Sequence, residues 1–321
     1  MQPDVVCITP ERNDLGESLY WDADGAILYW IDAWKTVVHA YDPATGDMRR
    51  TDFSAPLDGR PIGSIACRAG GGMICGARGG FYELDPESGN ARRVAEVEGD
   101  RPATNRLNDG KCDRAGRFWC ASINTDHRTA SAALWRLEDG RDPVLMEDGL
   151  IGGNGIAWSP DSRSMYLADT LAGKVWRYEF DLASGEIANR RLFLSIDADD
   201  GAPDGAAVDA DGCYWTALFR GGAVARFDPD GKFMRRIELP VSNPTMCAFG
   251  GPDLDILYVT SASRFLDEER LLAQPLAGHL LAVHGVGARG LPEPKFNGRH
   301  HSASSVAASG TPDGSHEALR A

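Results

Sequence analysis

The chain has 321 residues, 43% of them hydrophobic and 25% charged, with a net charge of −14, a composition that points to a globular protein. So acidic a surface repels phosphate backbones and anionic bilayers, which argues against nucleic acid and membranes as partners, and no apolar run approaches the ~20 residues of a membrane span. Residues 1–10 lack a basic stretch followed by an apolar core, and the seven cysteines are scattered with no C-x-x-C pair; both features lead us to expect a cytoplasmic protein with reduced, buried thiols.

The first apolar run, Val5-Val6-Cys7-Ile8, predicts a strand. A longer unit follows. Leu19-Tyr20-Trp21 precedes an Asp-Gly turn at 22–25, Ile27–Asp32 is a second apolar run, and Val37–Tyr41 leads into a turn at 42–46. The unit recurs from Asn154 and Asp204, and weaker copies begin near Gly63, Asn108 and Pro244. Taking Glu17, Gly63, Asn108, Asn154, Asp204 and Thr245 as equivalent starts, the steps are 41–50 residues. Short alternating strands cut by Asp, Gly and Pro turns at that period are blades of four antiparallel strands. The expected fold is all-β, a six-bladed β-propeller over residues 1–299, with Val5–Ile8 closing the ring against the last blade. A β-sandwich, the competing architecture, has no need of so regular a long period. The charged and apolar stretch at 267–274 predicts a short helical excursion inside the last blade. Residues 300–321, small and polar without periodicity, are expected to be a disordered tail.

Several motifs that suggest chemistry are better read as structure. The Asp-x-Asp-Gly sequences at 22–25, 209–212 and 228–231 lack the downstream glutamate and flanking helices of an EF-hand and fall between strands, where Asp and Gly make turns. Gly70-Gly71-Gly72 occupies a hairpin position. Trp21, Trp30, Trp119, Trp158, Trp176 and Trp215 fall on strands, where packing between blades is expected. No H-E-x-x-H, P-loop or G-x-S-x-G is present.

In a propeller, the innermost strands all begin at one end of the central channel, so polar residues at those starts converge. These are Glu17, Asn154 and Asp204, with Arg106-Leu107-Asn108-Asp109 from blade three. Two carboxylates and an amide oxygen form a hard oxygen set with positions left for water and substrate. Such a set suits Ca²⁺, Mg²⁺ or Mn²⁺ best.

Leu15-Gly16-Glu17-Ser18, Asn105-Arg106-Leu107-Asn108-Asp109-Gly110-Lys111, Gly116-Arg117-Phe118-Trp119, residues 153–161, Pro203-Asp204-Gly205 and residues 249–253 occur in an order and spacing that resemble the gluconolactonase/regucalcin (senescence marker protein) family of six-bladed propellers. The resemblance implies one divalent metal (Ca²⁺ foremost, with Zn²⁺, Mn²⁺, Mg²⁺ or Fe²⁺ as alternatives) held by Glu17, Asn154 and Asp204. It implies sugar-lactone hydrolysis with Asp204 as general base, and Arg106 and Asn108 binding substrate with Asp109 in support. The chain departs from the family pattern at Glu17-Ser18, where the family has Glu-Gly. It departs again at Asp126, beside His127, where regucalcin-like members place a substrate-contacting glutamate. A calcium-binding regulator without catalysis, a protein-binding scaffold and an organophosphate hydrolase are the alternative functions.

Overall fold

Twenty-four strands form six separate four-stranded antiparallel sheets in the computed structural model, which describes residues 3–298. The six sheets are the blades of a propeller. Their innermost strands are Gly16–Asp22, Ile62–Cys67, Asn105–Cys112, Gly153–Trp158, Ala202–Val208 and Pro244–Gly250, so each lies at or within a few residues of a start read from the repeat. The strand Asp4–Cys7 pairs with Leu281–His284 as the outermost strand of blade six. The first strand of the chain thus completes the last blade, and the ring is closed by main-chain hydrogen bonds. The excursion in blade six is the helix Glu268–Ala273, capped by the Asp267 side chain, which accepts from the Arg270 amide. The expected tail at 300–321 lies outside the described residues.

The core lies between blades. Trp30, Trp119 and Trp215 are fully buried, and Trp21 and Trp158 nearly so. Two of them are fixed by the turns beside them. Asp113 and Asp209 each accept an indole N–H, from Trp119 and Trp215 respectively, at 2.8 Å. The same carboxylates accept turn amides from Ala115, Arg117, Asp211 and Cys213. The Asp-Gly turns of blades three and five therefore organise hairpins and anchor the aromatic layer. All seven cysteines are free thiols, six of them buried. No helix among the described residues is long and apolar enough to cross a membrane.

One irregularity recurs in every blade. The pairing between the first and second strands slips near the start of each innermost strand: at Glu17/Tyr20, Ile62/Ser64, Leu107/Gly110, Asn154/Ala157, Pro203/Ala206 and Pro244/Met246. A bulge re-aims the side chains beside it and ends regular pairing. Here six bulges ring one end of the channel. In blade two the bulged residue is Gly63, and a Cβ there would collide with the carbonyl oxygens of Leu107 and Asn108 in blade three.

Candidate metal centre and active site

The start of each inner strand is held by the strand beside it. At the end of its second strand, Asp32 accepts the amides of Asp14 (2.8 Å) and Leu15, while Asp169 accepts those of Ile151 and Gly152 (3.0 Å). These contacts fix the chain just before Glu17 and Asn154. After Asn154, Gly155 adopts φ +58°, where a side chain would also strike the Tyr214 hydroxyl. That hydroxyl donates to the Gly155 carbonyl at 2.9 Å. Only glycine satisfies both the backbone angle and the close approach.

A hydrogen-bond relay then runs across blades three, four and five. Arg106 Nη1 donates to Asn108 Oδ1 at 2.8 Å, and Asn108 Nδ2 donates to Asn154 Oδ1 at 2.8 Å. Asn154 Nδ2 donates to Thr170 Oγ1 at 2.8 Å, and Thr170 Oγ1 donates to the carbonyl of Pro203 at 2.7 Å. The relay sets the flip of both amides. Asn154 Oδ1 keeps one lone pair for a further partner, and the last link reaches the residue before Asp204.

Glu17, Asp204, Asp109 and Arg106 are close enough that each carboxyl feels its neighbours. Burial, then the charges of Asp204 and Asp109, push the Glu17 carboxyl well above the usual carboxylate range against the pull of Arg106. Burial, then Asp109, does the same to Asp204. Burial lowers the Arg106 guanidinium to about 10, which leaves it charged at neutral pH. Asp204 is buried, and its Oδ1 has no hydrogen-bond partner.

A buried carboxylate oxygen without a donor is costly, and crowded carboxylates with one guanidinium between them are under-neutralised. A divalent cation relieves both conditions, so the donor set fits such an ion. Among the described residues no three His, Cys, Asp or Glu side chains cluster as a metal site. An ion here therefore relies on the Asn154 oxygen and on water beyond two carboxylates, which favours oxygen-seeking cations.

Asp109 lies deeper and accepts the Ile156 amide at 3.0 Å. Below it Lys111 pairs with Glu293 at 3.0 Å and donates to the Ala206 carbonyl at 2.9 Å. Burial alone would lower the Lys111 ammonium, but Glu293 and Asp109 outweigh it and hold it above its usual value. Asp126 stands apart from this group. It is exposed on the loop after Phe118–Asn124, and its carboxylate accepts the amides of Arg128 (2.8 Å) and Thr129 (2.9 Å) and the Thr129 hydroxyl. That carboxylate serves its own turn.

The profile described as the SMP-30/Gluconolactonase/LRE-like region matches residues 15–263. The chain belongs to this family. It is 34% identical to a regucalcin of Xenopus laevis over 92% of this chain and 98% of that one. It is also 34% identical to a 6-deoxy-6-sulfogluconolactonase of Pseudomonas putida, over 93% of this chain and 100% of the relative. Among solved structures, a regucalcin from Agrobacterium tumefaciens, described as a calcium-binding protein, superposes with a TM-score of 0.85 at 26% identity, covering 92% of this chain and 97% of that one.

Three members of the neighbourhood escape a reading of the repeat alone. Thr170, Trp34 and Lys111 are ordinary strand-end or strand residues in sequence. The one sequence signal for Thr170 is its place directly after Asp169, a residue whose counterpart in blade one is Asp32.

Proposed function

We propose that the chain is a metal-dependent hydrolase that opens sugar lactones to aldonic acids. The observation that carries this reading is the pair of carboxylates, half-buried Glu17 and buried Asp204, that feel one another's charge at the starts of their inner strands, with Asp204 Oδ1 unpartnered. The 6-deoxy-6-sulfogluconolactonase relative, matched over its whole length, supports a lactone as substrate.

Glu17, Asn154 and Asp204 would hold the divalent ion, Ca²⁺ foremost, which when bound supplies Lewis acidity toward the lactone carbonyl. Asp204 takes the proton from the attacking water. Its carboxylate, buried and with Oδ1 free of any donor, is open to a water molecule at the mouth, and a carboxylate within hydrogen-bond reach of the proton it abstracts is what general-base catalysis requires. Arg106 and Asn108 hold ring hydroxyls; their place in the relay keeps them rigid while they do so. Asp109 supports this wall from below through the Ile156 amide.

The test is acid release from a panel of pentono- and hexonolactones, with and without EDTA and with Ca²⁺, Zn²⁺, Mn²⁺ or Fe²⁺ restored. Turnover that disappears with EDTA and returns with one of the metals supports the reading. Absence of metal-dependent turnover on every lactone sinks it. The regucalcin relatives and the neighbour described as calcium-binding favour a second reading, a calcium binder without catalysis; ion binding by calorimetry without turnover would select it.

A further inference from the structure

Trp34 and Arg264 lie on the same side of the mouth as Glu17, on loops from two different blades. Trp34 follows the second strand of blade one, Ile27–Asp32, and Arg264 follows the second strand of blade six, Ile256–Ser261. Backbone contacts hold these loops against the segment leading into Glu17. The amides of Ser263 and Arg264 donate to the Asp14 carbonyl, Ala33 donates to the Leu15 carbonyl, and Leu15 bridges Ala262.

The Arg264 guanidinium carbon lies 4.5 Å from the centroid of the Trp34 ring, and that of Arg106 lies 5.6 Å from the same ring. One indole therefore positions two guanidinium groups, one buried beside the metal ligands and one exposed at the rim. Neither forms an ion pair among the described residues. Arg106 spends Nη1 on Leu107 and Asn108, while its Nε has no acceptor, and the buried Trp34 Nε1 also has none. The Arg264 side chain makes no hydrogen bond to any described residue. The Arg78 guanidinium, on the adjoining blade, donates to the Ala103 carbonyl, and its charge is felt at Arg106.

Two features of this wall bear on the ligand. The cations are pre-oriented by stacking, so little side-chain freedom remains to be lost on binding. They also stand in a chain of net charge −14, whose overall field disfavours anions. The charge of Arg106 is answered by Glu17 and Asp204, so Arg264 is the cation of this wall that no described carboxylate offsets, and a neutral polyol has no need of it. A tetrahedral oxyanion matches the guanidinium fork and gains charge-assisted bonds from it.

We propose that this wall is a subsite for a tetrahedral oxyanion, a phosphate or a sulfonate, carried by the substrate at the end remote from its lactone carbonyl, with Arg264 as the specificity-determining contact and Trp34 as its platform. The proposal rests on the lactone-hydrolase reading for the location of the carbonyl, but the charge preference is measurable without turnover.

The probes are gluconate, 6-phosphogluconate and 6-deoxy-6-sulfogluconate, open-chain acids that differ at the terminal carbon. Their affinities for the full chain loaded with Ca²⁺ are measured by calorimetry, alongside rates on the corresponding lactones. At least one terminal anion should bind tenfold or more tighter than gluconate, and the tighter of the two names the oxyanion. That ratio should fall toward one in R264Q, fall in W34L, and shrink as salt rises. A wild-type ratio near one, or a ratio that R264Q leaves intact, overturns the subsite. If lactones are hydrolysed without preference for the anionic ones, the subsite fails and the hydrolase reading stands. If the binding ratio behaves as stated and no lactone turns over, the hydrolase reading fails and the subsite stands. Thermal melts of R264Q and W34L establish that each variant is folded; Arg264 is exposed, so its replacement tests charge and not packing.

Discussion

Under the proposed function Asp204 would carry two opposed roles at once, base for water and liability for the fold. Its carboxyl and that of Glu17 are both pushed up, by burial first and then by neighbouring carboxylates. A carboxyl raised in the folded state favours folding at pH values below its unfolded pKa, and that contribution is lost as pH rises through the folded value. Metal-free protein should therefore weaken as pH rises above about 4. Asp204→Asn should melt higher than wild type in EDTA at pH 7 to 8, with the gap closing toward pH 4. The same variant should lose at least ~100-fold in kcat, the scale of a lost general base. Wild-type turnover by Asp204→Asn or Asp204→Ala would mean that the site is elsewhere.

His39 has the opposite sign. It is buried and stacked on Trp30 with ring centroids 4.8 Å apart, and burial lowers its imidazole to about 4 against the pull of Glu11. Its contribution to stability is complete above the unfolded value near 6.5 and is lost as pH falls toward 4, up to about 3 kcal/mol. Replacing His39 with Phe should flatten the acid limb of stability measured by urea unfolding between pH 6.5 and 4. Thr170 tests the relay: Thr170→Val removes the acceptor that holds Asn154 Nδ2. An outer partner of this kind is worth roughly 10- to 100-fold in metal affinity, which titration calorimetry with Ca²⁺ measures directly.

At the scale of the element, the bulge decides the site. Six inner strands slip register at the same end of the channel, and the candidate ligands Glu17, Asn154 and Asp204 lie at three of those slips. Strand alternation alone would send successive residues to opposite faces, and no count of apolar positions shows where that alternation is broken. Gly63 shows how tightly the slips of neighbouring blades are fitted. Its missing Cβ admits the carbonyls of Leu107 and Asn108. Gly63→Ala should cost about 1–3 kcal/mol by overpacking. Because the displaced strand carries Asn108, turnover should fall in the variant even at temperatures where circular dichroism shows it folded.

At the scale of the whole molecule, the ring is closed twice. Asp4–Cys7 completes blade six, so removing residues 1–8 should leave an unpaired sheet edge and lower the melting temperature with aggregation, as seen by scattering. Residues 289–297 then cross the end of the channel opposite Glu17, Asn154 and Asp204. Arg289 bonds to blade five through Ala210, Glu293 pairs with Lys111 of blade three, Lys295 pairs with Asp22 of blade one, and Phe296 bonds to blade two through Cys67 and Ala69. Nothing in the composition of that segment announces a strap. It lacks the alternation of a strand, and its partners come from five blades, since Gly290 also donates to the Leu254 carbonyl in blade six.

The sequence by itself determined the blade number, the starts of the inner strands to within a few residues, and the closing strand, because each blade repeats the same apolar rows and turn residues and each can be read locally. It also marked Glu17, Asn154 and Asp204 as belonging to one place, through their equivalent positions in that repeat. Only the tertiary structure decided which of the polar residues meet. The amide relay through Thr170, the stacking of Arg106 and Arg264 on Trp34, and the turning of Asp126 into its own loop all depend on contacts across the ring or on bulge and loop geometry. Such contacts join residues far apart in the chain, and their distances exist only once the ring has closed.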